Sequence, residues 1–216
     1  MAVINEKDMV IVENVTKRFK ETTALDQISV SFERGKIHGL IGRNGSGKTV
    51  LLKCICGFLE PTEGIILVDG VQVRSSCPQD IGIILEEPGF VGSVSGFKNL
   101  KMLASIRKKI SDERIREVME QVGLDPGMKK AVKHYSLGMR HRLGIAQAIM
   151  EFPHLLLLDE PMNGLDRQGV LQMRDLFKEL RNTGTTIVVA SHYAEDIDAL
   201  CDTVHEMDQG HIRRVS

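Results

Sequence analysis

Residues 42–49 read Gly-Arg-Asn-Gly-Ser-Gly-Lys-Thr and fit the pattern G-x-x-x-x-G-K-[ST]. They follow the apolar run KIHGLI (36–41) and lead into TVLLKCICGFL (49–59), which has helical length and is apolar all round. Strand, glycine-rich loop and buried helix in that order leave few folds open. The glycines Gly42, Gly45 and Gly47 let backbone N–H groups turn inward on an anion, and the positive end of the next helix points at the same place. Arg43, Asn44 and Ser46 complete the loop. Lys48 brings a point charge suited to β and γ phosphates, and the Thr49 hydroxyl is a candidate ligand for Mg²⁺. The loop reads as a cradle for nucleotide phosphates.

The rest of the pattern supplies a body for that cradle. MVIVENVTKRF and LDQISVSFERG alternate as strands, and EPTEGIILVDGVQV reads as a hairpin turning at Asp69-Gly70. IGIIL (81–85) is a short buried strand ending at Glu86-Glu87-Pro88. From about Ser95 to Met150 the period becomes helical: GFKNLKMLASIRKK, then SDERIREVMEQVGL from an N-cap at Ser111, then LGMRHRLGIAQAIM from an N-cap at Ser136. After them come the strand LLLLDE (155–160), the helix GVLQMRDLFKELRN, the strand TTIVVAS, a short helix YAEDIDALC and a hairpin at Gln209-Gly210. Strands alternating with helices predict an α/β body with a mostly parallel sheet covered on both faces, formed by residues 1–88 and 151–216. Residues 89–150 form a helical insertion into it.

Composition narrows the partners. With 28 basic and 29 acidic residues, net charge −1, there is no electrostatic case for nucleic acid, and two tyrosines without tryptophan leave little surface for stacking bases. No apolar run reaches the length of a membrane span, and MAVINEKDMVIVENV lacks the layout of a signal peptide. Cys54, Cys56, Cys77 and Cys201 show no Cys-x2-Cys spacing and read as free thiols of a reducing cytosol. The expectation is a soluble cytosolic protein.

Three further elements carry chemistry. LLLLDE brings Asp159 to a strand end beside the cradle, where it can hold Mg²⁺, and Glu160 one residue on, where it can polarise a water. The strand TTIVVAS ends at Ser191-His192, on the same sheet edge as Asp159. Ser136 opens a helix of small and apolar residues, a second anion-binding start with no anion of its own nearby in sequence; Gly138 lets another backbone come close.

These residues, in this order, resemble the ATP-binding subunits of ABC (ATP-binding cassette) transporters over nearly the whole chain. Gly42–Thr49 is similar to the family's Walker A loop, Leu155–Glu160 to its Walker B strand, Asn163-Gly164-Leu165-Asp166 to its D-loop, and His192 to its switch histidine. Phe19 sits where the family stacks a ring on adenine; alternatively it caps the core. The signature, commonly Leu-Ser-Gly-Gly-Gln, reads Tyr135-Ser136-Leu137-Gly138-Met139, a form similar to bacterial ABC-2-type exporter ATPases. The family's Q-loop glutamine is replaced by Glu86, whose carboxylate can still meet Mg²⁺ but adds negative charge beside the triphosphate.

The resemblance implies the P-loop ABC-ATPase fold: a mostly parallel core sheet, an N-terminal antiparallel β-subdomain and an inserted α-helical subdomain. It implies ATP and Mg²⁺ as cofactors, with Thr49, Asp159 and Glu86 around the metal, Glu160 as general base and His192 on the γ-phosphate. Ser136, Leu137, Gly138 and Met139 then act on the partner chain's ATP in a head-to-tail dimer, a homodimer or a pairing with a second ATPase subunit, and Asp166 couples the two sites. An integral-membrane permease is the implied partner, with the chain peripheral on the inner face of the cell membrane. Phe90, Val91, Val94 and Phe97 either line a groove for that partner or form the insertion's own core. A cassette serving DNA repair would need a coiled-coil insertion with sustained heptads, and none is present. An Fe–S-assembly cassette and a switch that closes on ATP but barely hydrolyses it stay open as rivals.

Overall fold

The computed structural model describes residues 6–74, 78–85, 89–192 and 197–216. Its strands are β1 (Asp8–Phe19), β2 (Thr22–Glu33), β3 (Ile37–Ile41), β4 (Glu63–Val68), β5 (Val71–Gln72), β6 (Ile81–Ile84), β7 (Leu155–Asp159), β8 (Thr186–Ser191), β9 (Thr203–Asp208) and β10 (His211–Arg214). Its helices are α1 (Lys48–Ile55), α2 (Gly96–Arg107), α3 (Asp112–Gln121), α4 (Leu137–Ile149) and α5 (Arg167–Asn182).

The strands make two sheets. An antiparallel one runs β2-β1-β4-β5, and a larger one runs β10-β9-β3-β8-β7-β6. In the larger sheet every neighbouring pair is parallel except the β9–β10 hairpin. The mostly parallel core is the one the pattern predicts, and the antiparallel N-terminal sheet is the one the resemblance implies.

Strand alternation divides the interior in two. Side chains of β3, β7 and β8 point by turns to opposite faces, so Ile37, Leu156, Leu158, Ile187 and Val189 join one core, and Leu40, Leu155, Leu157, Val188 and Ala190 the other. The second core is closed by Leu51, Leu52 and Ile55 of α1 and by Val10, Val12, Ile28 and Phe32 of the antiparallel sheet. Leu51, Leu52, Cys54 and Ile55 of α1 are buried, while Thr49, Val50 and Lys53 are only partly covered. Each buried leucine or isoleucine side chain contributes roughly 1.5–3 kcal/mol.

The first core is closed by α5 and by the helices between β6 and β7. Leu100, Ile115, Val118 and Leu143 of α2, α3 and α4 share one continuous cluster with the sheet. Helix α4 comes so close to β6 that a Cβ on Gly82 would overlap the Ala148 carbonyl. Phe90 and Phe97 pack against this cluster, and the Arg116 guanidinium covers the Phe97 ring at 4.6 Å. These two rings serve the helices' own core.

Several helix ends differ from the sequence pattern, α1 most, since it stops at Ile55 just before the left-handed Gly57 (φ 78°). Helix α5 starts at Arg167, two residues before the expected start at Gly169, because Asp166 caps it by accepting from the Gly169 N–H at 2.9 Å. Helix α2 stops at Arg107, where Lys108 turns left-handed at φ 54°. Of the short helix expected at 193–201, residues 193–196 lie outside the described residues.

Candidate nucleotide site

Strand β3 delivers the glycine-rich loop to the C-terminal edge of the parallel sheet. Register sets Ile41 beside Ser191 and Asp159 beside Ala190, so the ends of β3, β7 and β8 meet there. Gly45 and Gly47 have φ 82° and 109°, a left-handed backbone that glycine adopts without strain. Helix α1 begins at Lys48 with no side chain capping it and no acid in its first turn, which leaves its N–H groups to an anion. The Lys48 ammonium is buried, donating to the carbonyls of Gly42 at 2.6 Å and Arg43 at 3.2 Å. Its charge thus lies along the loop that a phosphate would fill. Ser46 Oγ is buried without a hydrogen-bond partner among the described residues.

The loop is also pinned from behind. The Gly210 N–H of the β9–β10 turn donates to the Ser46 carbonyl at 3.1 Å, and the Asp26 N–H donates to the Gly210 carbonyl at 2.9 Å. Sequence reading assigns this turn no part in the site, because nothing local in Gln209-Gly210 reveals a contact so far along the chain. Phe19 is 43% exposed at the tip of the β1–β2 hairpin, paired with Thr22, with the Lys17 ammonium 5.1 Å from its ring centre. Two residues on from Thr22, the Ala24 carbonyl crowds Gly47. Phe19 therefore does not cap the core.

Asp159 ends β7 and accepts a short hydrogen bond from the Thr49 hydroxyl. Burial holds its carboxyl above the usual value; the Thr49 bond opposes the rise and the Glu160 charge adds to it. Glu160 itself has φ 49°, an unusual backbone for a residue with a side chain. It is held there by its N–H donating to the Ala190 carbonyl at 2.9 Å and by its carbonyl accepting from the Asn163 N–H at 3.1 Å. The carboxylate turns to β8: His192 Nδ1 lies 2.7 Å from Oε1, and the Ser191 hydroxyl donates to Oε2 at 3.3 Å. Ser191 is a site residue that sequence reading passes over, although its place beside His192 on the strand end is the signal for it.

Ser136 caps α4, its Oγ accepting from the Met139 N–H at 3.2 Å, and α4 carries no acid in its first turn. Tyr135 before it is buried, its hydroxyl accepting from the Gly96 N–H at 3.2 Å and joining the start of α2 to this turn. Leu137 and Gly138 lie against Gly164. Lys48, Thr49, Asp159, Glu160 and His192 thus gather at one strand edge, while the Ser136 turn is built against the 163–166 turn. Glu86 lies outside the described residues.

The ABC transporter family model matches residues 25–163. The uncharacterized ABC transporter ATP-binding protein YybJ of Bacillus subtilis is 45% identical over 206 residues, covering 94% of this chain and 94% of its own length. The bacitracin transport ATP-binding protein BcrA of Enterococcus faecalis is 40% identical over 93% of this chain and 66% of its own length. Among solved structures, the dimeric bacterial ABC transporter cassette MJ0796 matches with a TM-score of 0.87 over 96% of this chain and 98% of that one, at 21% identity, a likeness of fold. The chain belongs to the ABC transporter family, as an ATP-binding subunit and an ATPase.

Proposed function

We propose that this ATPase works as one of two cassettes paired head to tail, energising export through a separate membrane-spanning permease. The observation that carries the pairing is the division of the site. One sheet edge holds the phosphate cradle and the groups for hydrolysis, whereas Ser136 presents a second helix start on the 163–166 turn. In a two-fold pair, one chain's Ser136 turn closes on ATP held by the other's Lys48 loop. ATP then favours the closed pair because it binds both halves, and loss of the γ-phosphate opens it.

Within one site, Lys48 and the N-terminus of α1 hold the β and γ phosphates. Glu160 takes the proton of the attacking water, and His192 orients Glu160 and the γ-phosphate. Thr49 and Asp159 present two oxygens at the mouth of the cradle, a donor set that suits a hard cation, and Glu86 joins them by resemblance. Mg²⁺ held there would neutralise phosphate charge. Phe19 is the adenine-stacking ring. Leu137, Gly138 and Met139 shape the helix start that meets the partner's ATP. Asp166, fixed as the cap of α5, holds the turn through which the two sites communicate.

Residues 89–150 are the helical subdomain that passes this motion to the permease. A groove of about 620 Å³ runs between α2, α4 and β6, lined by Phe58, Leu59, Leu85, Leu103 and Ile106. Phe58 and Ile106 are 61% and 75% exposed, apolar surface suited to a cytoplasmic helix of a membrane partner. The chain docks peripherally on the inner face of the cell membrane; among the described residues no helix is long and apolar enough to cross a membrane. Similarity to BcrA and the variant signature support the exporter reading.

Mixing two inactive variants tests the shared site. Lys48→Ala and Ser136→Arg chains each lack half of both sites, but a mixed pair rebuilds one complete site. Turnover that reappears on mixing supports the pairing. Turnover that stays absent, with both chains folded, overturns it.

A further inference from the structure

We propose that Leu137 is a positioning residue that seats the turn carrying Glu160 against the start of α4; this rests on the paired-cassette reading above. Residues 160–166 form one continuous turn between β7 and α5. Its near end is set by the Glu160 N–H on the Ala190 carbonyl, and its far end by Asp166 capping α5. Its tip, Gly164, has φ 73° and lies directly under Leu137. A Cβ on Gly164 would stand 2.7 Å from Leu137 Cδ2 and 2.8 Å from Cγ. In return, a Cβ on Gly138 would stand 2.9 Å from the Gly164 carbonyl oxygen. The two segments therefore interlock, each supplying a glycine where the other needs room.

A neighbouring contact keeps this packing from sliding. Arg142, one turn further along α4, donates to Gln172 of α5 at 2.7 Å and to the Val122 carbonyl. The commoner signature has glycine where Leu137 stands and could not fill this space. Leu137 is 40% exposed and belongs to neither core cluster, while its Cγ and Cδ2 lie over Gly164. The asparagine before the tip, Asn163, donates its N–H to the Glu160 carbonyl, so the seat under Leu137 is one residue removed from the bond that holds Glu160 left-handed. A displacement of the α4 start by the partner's nucleotide is thereby carried to the same chain's own base.

Amide hydrogen exchange of residues 163–166 in the nucleotide-free full-length chain reads the seat directly, beside steady-state kcat and KM for ATP. Leu137→Ala keeps a good helix former while emptying the space. We expect it to raise exchange in this turn about ten-fold and to lower kcat by about ten-fold with little change in KM, since misplacing a catalytic group acts on turnover. Leu137→Met, which refills the space, restores the protection and most of the lost turnover. Unchanged exchange in Leu137→Ala overturns the proposal, as does a raised KM at constant kcat, which would put Leu137 on the partner's nucleotide instead. If the wild-type chain alone turns over no ATP, the paired-cassette reading is in question, while the exchange result still decides the seat.

Discussion

His192 Nδ1 and Glu160 Oε1 stand 2.7 Å apart, across the ends of β8 and β7. With Ser191 on the other carboxylate oxygen, Glu160 is oriented from one side before any nucleotide arrives. His192→Ala removes that orientation and leaves the phosphate cradle whole. Its kcat should fall by about 10²-fold, with ATP binding nearly unchanged. A variant that loses binding and keeps turnover at saturation would assign His192 to binding.

The Thr49–Asp159 hydrogen bond marks the expected metal position. Asp159→Asn keeps the shape and removes the charge. Titrating a fluorescent ATP analogue with Mg²⁺ and again with EDTA separates the two contributions. Asp159→Asn should lose the gain in affinity that Mg²⁺ gives the wild type and retain the affinity measured in EDTA. Equal Mg²⁺ dependence in both proteins would remove Asp159 from the metal.

Gly82 admits α4 to β6. Gly82→Ala places a methyl group on the Ala148 carbonyl, and overpacking of this kind costs roughly 1–3 kcal/mol. For a chain of 216 residues a loss of that size lowers the melting temperature by several degrees. An unchanged melting temperature would mean that α4 yields freely.

His205 gives the fold a dependence on pH. It is buried edge-on against Phe32, its Nδ1 without a hydrogen-bond partner among the described residues, and burial lowers its imidazole from 6.5 to about 4. Between those values the unfolded chain holds a proton that the folded chain refuses, so stability falls as pH drops from 6.5 towards 4 and is complete above 6.5. The loss is at most about 3 kcal/mol. His38, also lowered by burial, acts in the same direction. Melting at pH 7 and pH 5 should differ in the wild type, and less in His205→Met; equal curves for the two proteins would take His205 out of the effect.

The elements with a clear period were legible in the sequence. LLLLDE, TTIVVAS and KIHGLI read as apolar runs because they are covered on both faces, and their order fixed the edge at which Asp159 and His192 meet. The cradle was legible because its glycines are needed by backbone geometry alone. What escaped reading was contact between distant segments: Gly210 supporting Ser46, Gly164 under Leu137, and Tyr135 bonded to Gly96. Each joins residues whose local sequence is complete without the other. Asp166 was read for its resemblance to a coupling aspartate, while its role as the cap of α5 was hidden by the polar Arg167-Gln168 that follow. Phe90 and Phe97 illustrate a further limit, since apolar residues in a helical insertion look alike whether they face a partner or their own core.

The central claim is that Glu160 drives hydrolysis in a nucleotide-joined pair. Steady-state ATP turnover of the wild type beside Glu160→Gln, with mass in Mg-ATP followed by light scattering, tests it most directly. The wild type should turn over ATP, whereas Glu160→Gln should lose at least about 10²-fold in kcat and double in mass when ATP is present. A Glu160→Gln chain that hydrolyses at the wild-type rate, or that binds ATP and remains a monomer, would contradict it.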